Sequence, residues 1–414
     1  MLGGKEKFAF YSGFARIEQG QGKDSQEGKV RMDILEEYSR HIDKDEIVDL
    51  VLRLIEKKTI NPPGNEYLAK DIIVSSLKEL GAKVEILEKE KGRPNILGRI
   101  GEGEPSVAII THLDVVPAGS GWTTDPFKPQ VREGRIYGRG SLDNKGPYAA
   151  AWAGVKALLK SSVPLKGSII IGAVADEERG SHSGMKFLLE KGFSPSFCLI
   201  PDGGRLDEAI IGEKGMMWVA LRTFGKAAHA STPEEGENAI YKLVNFASSL
   251  SRFQFEGEHH AMFGDPTLNL GKIEGGSEAA NMVPDRCSGI VDIRYPLGLR
   301  QEDIVSQLEN LAGQTGSDIK MEVITSKEPH LLTQDHPLAV AFQRVAKDMK
   351  LNLRLGTIGG VTIAKDLYFK GIPSIVHSPA EDSVAHQANE YVKVENLVFC
   401  AKLWAGVIYE LVGG

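Results

Sequence analysis

The sequence predicts an α/β fold: a mixed, partly parallel sheet with helices on both faces, into which an α+β domain is inserted. The chain has 414 residues, which is long for one domain. Short apolar strands alternate with helical stretches in the first half and again near the end, as in sheets covered by helices on both faces. The middle of the chain carries strands with partial two-residue alternation, which favours an antiparallel sheet.

Composition divides the chain into a tail and two domains. Residues 1–40 form a polar N-terminal tail, and we expect disorder in its first thirty residues, which are rich in Gly, Gln and Lys. We assign 41–212 and 327–414 to the main domain and 213–326 to the inserted domain. The tail lacks the apolar core of a secretory leader, and no run approaches the roughly 20 apolar residues that a membrane helix needs.

The main domain begins with two helices. "KDEIVDLVLRLIEKKTI" has helical apolar spacing and is ended by "NPPGNE", and a second amphipathic helix stops at Gly81. Apolar strands and helices then alternate. The expected helices are 44–60, 66–81, 147–160, 182–191, 337–349 and 362–370, and the expected strands are 83–88, 95–100, 106–111, 168–175, 197–200 and 373–377.

The inserted domain combines three strands with two helices. The expected strands are 216–224, 267–275 and 287–296, and the expected helices are 238–253 and 300–314. Two helices on a mainly antiparallel sheet define an α+β domain.

Net charge and cysteine content limit the partners and the compartment that can be expected for the protein. The net charge is −7, so neither nucleic acid nor an anionic membrane surface is an expected partner. Three widely spaced cysteines, Cys198, Cys287 and Cys400, are expected to be buried free thiols. Free thiols fit a reducing compartment, and we expect a cytoplasmic protein.

Histidines and acids follow the ends of four apolar strands. "AIITHLDVVP" ends in His112 and Asp114, and "SIIIGAVADEER" ends in acids that include Glu177 and Glu178. Three further groups are Asp202 in "FCLIPDGG", Asp143 in a Gly-rich loop before a helix, and His386 in the loop after the last strand. In open α/β sheets, ligands bind at the carboxyl ends of the strands.

These side chains predict a metal site. Carboxylates with imidazoles and no thiolate suit Zn²⁺, with Co²⁺ or Mn²⁺ as alternatives. The candidates exceed the three protein ligands that one catalytic zinc needs, which favours two ions roughly 3.5–4 Å apart, bridged by one carboxylate. Because residues two apart on an extended chain point to one side, we expect the carboxylate of Asp114 to accept the second ring N–H of His112.

At these residues the sequence resembles a family of di-zinc aminoacylases and peptidases. The family includes acetylornithine deacetylase, succinyl-diaminopimelate desuccinylase, carboxypeptidase G and carnosine-type dipeptidases. The matching pieces are "HLDVVP", "GWTTDPFKPQVREGRIYGRGSLDNKGP", "DEERGSHSG", "GKAAHASTPEEGENAI", "NMVPDRCSGIVDIRYP" and "HQANE". They occur in the family's order over roughly 45–410 and imply a zinc-peptidase fold whose inserted domain serves as a lid and for dimerisation.

The resemblance implies a role for each candidate. His112 and Asp202 would bind one zinc, Glu178 and His386 the other, and Asp143 would bridge them. Glu177 would be the general base that activates a metal-bridged water. Asp114, the expected partner of His112, is counted with the catalytic residues. The resemblance also implies a cis peptide bond between Asp143 and Asn144.

Further residues are implied in the inserted domain and after it. His229 would stabilise the oxyanion, reaching the active site of the partner subunit of a homodimer. Asn281 and Arg294 would hold the carboxylate of the substrate. In "GTIGGVTIAKDL", which departs from the family's usual run, a glycine such as Gly360 would let the backbone approach the ligand, and Lys365 is expected on a helix surface.

The expected activity is hydrolysis of a peptide or amide bond in a small substrate that carries a carboxylate. "LDNKGP" and "PDGG" favour a dipeptidase, with an N-acyl-amino-acid deacylase as the alternative. A two-metal phosphoesterase would share the ligands but would need more cationic groups around the phosphate. A binding protein without catalysis would not need Glu177.

Overall fold

A computed structural model describes residues 23–277, 279–316, 318–382 and 384–413. These residues form two compact units. The first unit contains the described residues up to Ile211, Leu332–Leu355 and the described residues from Thr362 onward. The second contains Gly212–Leu331 and also Gly356–Val361, a segment that the sequence-based boundaries assign to the main domain. A backbone hydrogen bond of 2.9 Å from Lys214 to Ile358 belongs to this second unit.

The first unit contains helices and strands in alternation. Its helices are α1 (Lys23–Ser39), α2 (Lys44–Ile55), α3 (Lys70–Glu79), α4 (Lys145–Lys160), α5 (Met185–Glu190), α8 (Pro337–Asp348), α9 (Ile363–Tyr368) and α10 (Val394–Val412). Its strands are β1 (Lys83–Glu88), β2 (Pro94–Ile100), β3 (Ser106–His112), β4 (Gln130–Arg132), β5 (Arg135–Tyr137), β6 (Ser168–Val174), β7 (Phe197–Ile200), β15 (Ser374–Val376) and β16 (Tyr391–Lys393). The chain passes between the units in β8 (Glu208–Glu213) and β14 (Arg354–Ile358).

The main sheet of the first unit has the strand order β1-β2-β6-β3-β7-β15-β8. The pairs β3–β6, β3–β7 and β15–β7 are parallel, whereas β1–β2 and β2–β6 are antiparallel. Every residue of β3 and β6 is buried, which explains why both strands are continuous apolar runs. The predicted mixed, partly parallel sheet with helices is confirmed.

Helices α4 and α10 pack closely beside this sheet. The Ala-rich α4 allows the approach, and a Cβ on Gly154 would lie only 2.5 Å from the carbonyl oxygen of Ala401 in α10. Helix α10 was not predicted from the sequence. Most of its residues are buried, so it lacks the one-sided apolar stripe by which a surface helix is recognised.

The predicted disorder of the N-terminal tail is wrong from Lys23 onward. Residues 23–39 form α1, and Tyr38 at its end is buried and donates a hydrogen bond of 3.1 Å to the carbonyl oxygen of Lys402. Arg31 forms an ion pair with Asp348 in α8 at 3.0 Å. The partners of Tyr38 and Arg31 lie far along the chain from α1. The polar composition of the segment itself therefore could not predict that it is ordered. Residues 1–22 lie outside the described part of the chain.

The second unit is an α+β domain. Its helices are α6 (Ala239–Leu250) and α7 (Gln301–Gln314), and its strands are β9 (Gly215–Phe224), β10 (Thr267–Gly275), β11 (Arg286–Tyr295), β12 (Ile319–Lys327) and the short β13 (His330–Leu331). Four of the strands form an antiparallel sheet in the order β10-β11-β9-β12. The helices cover one face, where Leu243 and Phe246 of α6 and Leu308 of α7 pack against Val291 and Ile293 of β11. The sequence predicted three of the four strands and both helices, and missed β12.

The three cysteines are free and buried, as predicted. Among the described residues, no helix combines the length and the apolar character that crossing a membrane requires.

Candidate metal centre

The main sheet brings the predicted ligands to one edge. Strands β6, β3 and β7 are parallel neighbours, and their carboxyl ends lead into the acids after Val174, into His112 and into Asp202. Asp143 ends the Gly-rich loop before α4, and His386 lies in the loop between β15 and β16. Adjacent parallel strands therefore place side chains together that lie far apart in the sequence.

Asp143 lies between the two histidines. Its Oδ1 is 2.8 Å from Nε2 of His112, and its Oδ2 is 3.0 Å from Nε2 of His386. One carboxylate thus points one oxygen at each imidazole, which is the arrangement expected of a ligand shared by two ions. The peptide bond between Asp143 and Asn144 is cis, as the resemblance implied.

The remaining acids complete two overlapping groups. The carboxylate oxygens of Glu178 lie 3.1 and 3.2 Å from Nε2 of His386. One ligand atom each from His112, Asp143 and Glu178 lie within 4.8 Å of one another, and so do atoms of His112, Glu177 and Asp202. All five predicted metal ligands and the predicted base therefore converge at one place.

The electrostatics show an excess of buried negative charge. Burial, together with the charge of Asp143, raises the pKa of Asp202 to about 7. Burial and the nearby Asp202 raise the pKa of Glu177 well above its usual value. Burial opposes ionisation of Asp143 as well, but its hydrogen bonds with His112 and His386 outweigh this and hold its pKa below the usual range.

The two imidazoles respond in the opposite direction. Hydrogen bonds to Asp143 and Glu178 raise the pKa of His386 to about 10. Burial would lower the pKa of His112, but the neighbouring carboxylates of Asp114 and Asp143 raise it well above its usual value. In the absence of metal, protons on the two imidazoles and on some of the acids thus offset the negative charge of the four carboxylates. Divalent cations would replace those protons, and the donors are of the type that Zn²⁺, Co²⁺ and Mn²⁺ accept.

The expected contact between His112 and the carboxylate of Asp114 is wrong in detail. Nδ1 of His112 lies 2.9 Å from the backbone carbonyl oxygen of Asp114 and 3.5 Å from its carboxylate. The ring N–H therefore donates to the carbonyl, which leaves Nε2 as the atom facing Asp143. The carboxylate of Asp114 instead accepts the backbone N–H groups of Glu177 at 3.1 Å and Glu178 at 3.2 Å. It orders the loop that carries the predicted base, Glu177, and a predicted ligand, Glu178.

A buried network supports this loop from behind, and sequence reasoning missed it. Asn61 donates to Asp114 at 2.9 Å and to Asp176 at 3.2 Å. Arg93 donates to Asp176 at 2.9 Å and to both oxygens of Glu66 at 2.6 and 3.2 Å. The only local signal at Asn61 was its place in "NPPGNE", a segment that ends a helix.

Two of the other predicted site residues lie close together in the second unit. The backbone N–H of Ala230, next to His229, donates to the carbonyl oxygen of Asn281 at 2.9 Å. Nδ1 of the exposed His229 accepts the backbone N–H of Ser231 at 3.1 Å. This contact favours the tautomer whose Nε2 carries the proton, which makes Nε2 a hydrogen-bond donor.

The guanidinium of Arg294 is hydrogen-bonded on both sides within the second unit. Its Nε and Nη2 donate to the two carboxylate oxygens of Asp292 at 2.7 and 3.1 Å. Its Nη1 donates at 3.2 Å to the carbonyl oxygen of Gly359, the neighbour of Gly360. The structure thus brings Arg294 and the glycine pair together within the second unit.

Lys365 is not the surface lysine that the sequence predicted. It is 1% exposed, on the inner side of α9, whose neighbours are β7, β15 and α5. A six-residue helix is too short for periodicity to separate its buried face from its exposed face.

Similarity to known proteins agrees with this geometry. The model of peptidase family M20/M25/M40 matches residues 108–410. Acetylornithine deacetylase of Vibrio campbellii is 31% identical over 81% of this chain and 89% of its own length. Succinyl-diaminopimelate desuccinylase of Thioalkalivibrio sulfidiphilus is 27% identical over 88% and 98%. The crystal structure of human carnosine dipeptidase 1, 20% identical, covers 91% of this chain and 98% of its own with a TM-score of 0.71.

The family match spans most of the chain and includes every predicted metal ligand. The chain belongs to peptidase family M20/M25/M40 and is a metallohydrolase of the metallopeptidase type that acts on peptide or amide bonds.

Proposed function

We propose that the protein is a dipeptidase that uses two divalent cations, zinc by preference, to hydrolyse a small substrate with a free carboxylate. One observation carries the two-ion proposal: the carboxylate of Asp143 offers one oxygen toward His112 and the other toward His386. A carboxylate that faces a different imidazole with each oxygen suits a ligand shared by two ions. Deacylation of an N-acyl amino acid is the second candidate, since the relatives of similar sequence include a deacetylase and a desuccinylase.

The contacts among the acids and histidines support the ligand roles that the family resemblance implies. His112 and Asp202 would hold one ion, Glu178 and His386 would hold the other, and Asp143 would be shared. When bound, the ions supply Lewis-acid polarisation of the scissile carbonyl and of the attacking water. Nδ1 of His112 already donates to the backbone at Asp114, which keeps Nε2 available as a ligand atom.

Glu177 is the proposed general base. It belongs to the same group of ligand atoms as His112 and Asp202, and burial raises its pKa well above the usual value. A raised pKa makes the carboxylate a stronger base, which favours its accepting the proton of the attacking water and returning it to the leaving nitrogen. Asp114 keeps Glu177 in place through the backbone N–H bond of 3.1 Å.

The second unit supplies the proposed substrate contacts. Nε2–H of His229 donates to the developing oxyanion. Asn281 and Arg294 bind the substrate carboxylate, with Asp292 orienting the guanidinium. The backbone at Gly360, beside the carbonyl that Arg294 contacts, allows the substrate to approach closely.

The assembly and the compartment are proposed on separate grounds. A homodimer is expected because the family resemblance assigns His229 to the active site of the partner subunit. A cytoplasmic location is supported by three buried cysteines that are free thiols.

Steady-state assays with a dipeptide panel, acetylornithine and succinyl-diaminopimelate test the substrate class. We expect turnover of at least one dipeptide and none of phosphate esters. Turnover of the acyl amino acids with no activity on any dipeptide would assign the chain to the deacylases.

Glu177→Gln tests the mechanism. The change preserves shape and removes the base, so we expect kcat to fall by about 10²–10⁴-fold with metal content unchanged. Metal content is measured by elemental analysis of the purified protein. Glu190→Gln, an exposed change at the end of α5, is the matched control and should retain full activity. Survival of catalysis in Glu177→Gln would show that the base is another group.

A further inference from the structure

The side chain of Glu390, from a distant part of the chain, is buried against the loop that carries Asp143. It is 0% exposed. Its Oε1 accepts three backbone N–H groups, from Gly140 at 3.1 Å, Leu142 at 2.9 Å and Asp143 at 3.1 Å. A single carboxylate oxygen therefore determines the path of the backbone up to the proposed bridging ligand.

Arg139 extends this contact to the loop that carries His386. Its Nη1 donates to Oε2 of Glu390 at 2.6 Å, and its Nη2 donates to the carbonyl oxygens of His386 at 3.2 Å and Ala118 at 3.3 Å. Its guanidinium also lies 5.3 Å from the ring centre of Trp122. Arg139 is 1% exposed, so these contacts are made out of water.

Neighbouring contacts reinforce the same junction. Strand β16 begins directly after Glu390 and pairs with β5, where Tyr391 opposes Tyr137. The side chain of Asn389 accepts from the backbone N–H and the hydroxyl of Thr123 at 2.9 and 2.8 Å. The loops before α4, before β16 and around Trp122 are thus joined through a few side chains.

We propose that Glu390 and Arg139 are a pair of positioning residues that hold Asp143 and His386 at the separation a shared pair of divalent ions needs. The proposal rests on the proposed function and adds to it two residues that bind no ion themselves. Asp143 and His386 are 243 positions apart, and their side chains are 3.0 Å apart. The Glu390–Arg139 pair binds the backbone of both, so it fixes where each ligand side chain starts.

The charges of Glu390 and Arg139 explain why this pair can fix the positions of the two ligand loops. Hydrogen bonds to a buried carboxylate are charge-assisted and directional. Removing one partner leaves the other charge buried without compensation, and the loops then rearrange to solvate it. A change at residues that orient metal ligands typically costs about 10–100-fold in metal affinity.

The test measures zinc affinity and amide exchange in the full-length chain. Zinc affinity is determined by competition with a chromophoric chelator, and exchange of the amides at 140–143 is followed in the metal-free protein. Glu390→Gln keeps an oxygen for the three N–H groups but removes the charge that pairs with Arg139. Arg139→Lys keeps the charge but cannot bond Glu390, His386 and Ala118 together. We expect zinc binding to weaken about 10–100-fold in both variants and the 140–143 amides to exchange faster.

Lys156→Met is the matched control. Lys156 is 8% exposed and forms ion pairs with Glu46 at 2.7 Å and Glu79 at 2.5 Å, away from the ligand loops. Its loss should lower the unfolding midpoint while zinc affinity and exchange at 140–143 stay as in the wild type. A pair that served stability alone would behave in the same way as this control.

Wild-type zinc affinity and wild-type exchange at 140–143 in Glu390→Gln and Arg139→Lys would overturn the proposal. The exchange measurement needs no metal and no substrate. Failure of the proposed function would appear differently, as a wild-type chain that binds no zinc and hydrolyses no peptide or amide.

Discussion

At the scale of single residues, His377 is a buried imidazole whose hydrogen bonds favour the neutral form. Trp404 donates its indole N–H to Nδ1 at 3.1 Å, and Nε2 lies 3.0 Å from the carbonyl oxygen of Leu206. Nδ1 is therefore the acceptor and Nε2 the donor. Burial lowers the pKa of His377 to about 4. A proton on Nδ1 would both charge the core and oppose the indole N–H.

This arrangement predicts a loss of stability in mild acid. The unfolded imidazole takes up a proton near pH 6.5 and the folded one only near pH 4, so the unfolded chain binds more protons between these values. The contribution is complete above pH 6.5, falls as pH decreases, and amounts to about 2 kcal/mol lost by pH 5 and about 3 kcal/mol below pH 4. Urea unfolding of the metal-free chain at pH 7.5 and pH 5, followed by tryptophan fluorescence, measures it.

His377→Gln removes the titrating group. The variant should be less stable at pH 7.5, yet its stability should decline less toward pH 5 than that of the wild type, by about 2 kcal/mol. Equal declines in the two proteins would show that His377 does not remain neutral in the fold.

At the scale of elements, the crossing of α4 and α10 depends on a missing side chain. Gly→Ala in a helix normally stabilises by about 0.5–1 kcal/mol. At Gly154 the added Cβ would lie 2.5 Å from the backbone oxygen of Ala401, which cannot move without moving α10. Overpacking of this kind costs about 1–3 kcal/mol, so we expect Gly154→Ala to destabilise the first unit.

Gly313→Ala is the matched control for this prediction. Gly313 lies in α7, and nothing is found within 4 Å of the position that its Cβ would occupy. The change should raise the stability of the second unit by about 0.5–1 kcal/mol. Thermal unfolding followed by circular dichroism measures both variants. Stabilisation by Gly154→Ala would show that the helices can separate at low cost.

At the scale of the whole molecule, the proposed homodimer predicts a mass of twice the 45.0 kDa of one chain in light scattering. It also predicts complementation between two inactive variants. If His229 serves the site of the partner subunit, a mixed dimer of Glu177→Gln and His229→Ala has one site with both native residues. Random mixing should then restore about a quarter of wild-type activity, because half of the dimers are mixed and each has one complete site.

The outcomes of this mixing experiment are distinct. If His229 acts within its own chain, every site in the mixture lacks one of the two groups and the mixture stays inactive. A monomeric and fully active enzyme would likewise exclude a contribution of His229 to a partner's site.

The local pattern of apolar residues by itself determined much of the secondary structure of this protein. The strands β1, β3, β6 and β7 and most helices were predictable because burial imposes a period of 2, a period of 3.6 or a continuous apolar run on the sequence. The strand ends, together with a resemblance in six short motifs, predicted the candidate metal ligands His112, Asp143, Glu178, Asp202 and His386. The structure brings all five together.

Tertiary structure alone decided which partner each buried polar group takes. The ring N–H of His112 donates to the carbonyl of Asp114 and not to its carboxylate. Lys365 is buried, and the polar segment before residue 40 forms α1. Glu390 binds Arg139 across 251 positions. Such contacts leave no periodic trace, because a buried charge is satisfied by whichever donor the fold brings near it, and that donor is set by packing rather than by neighbouring residues.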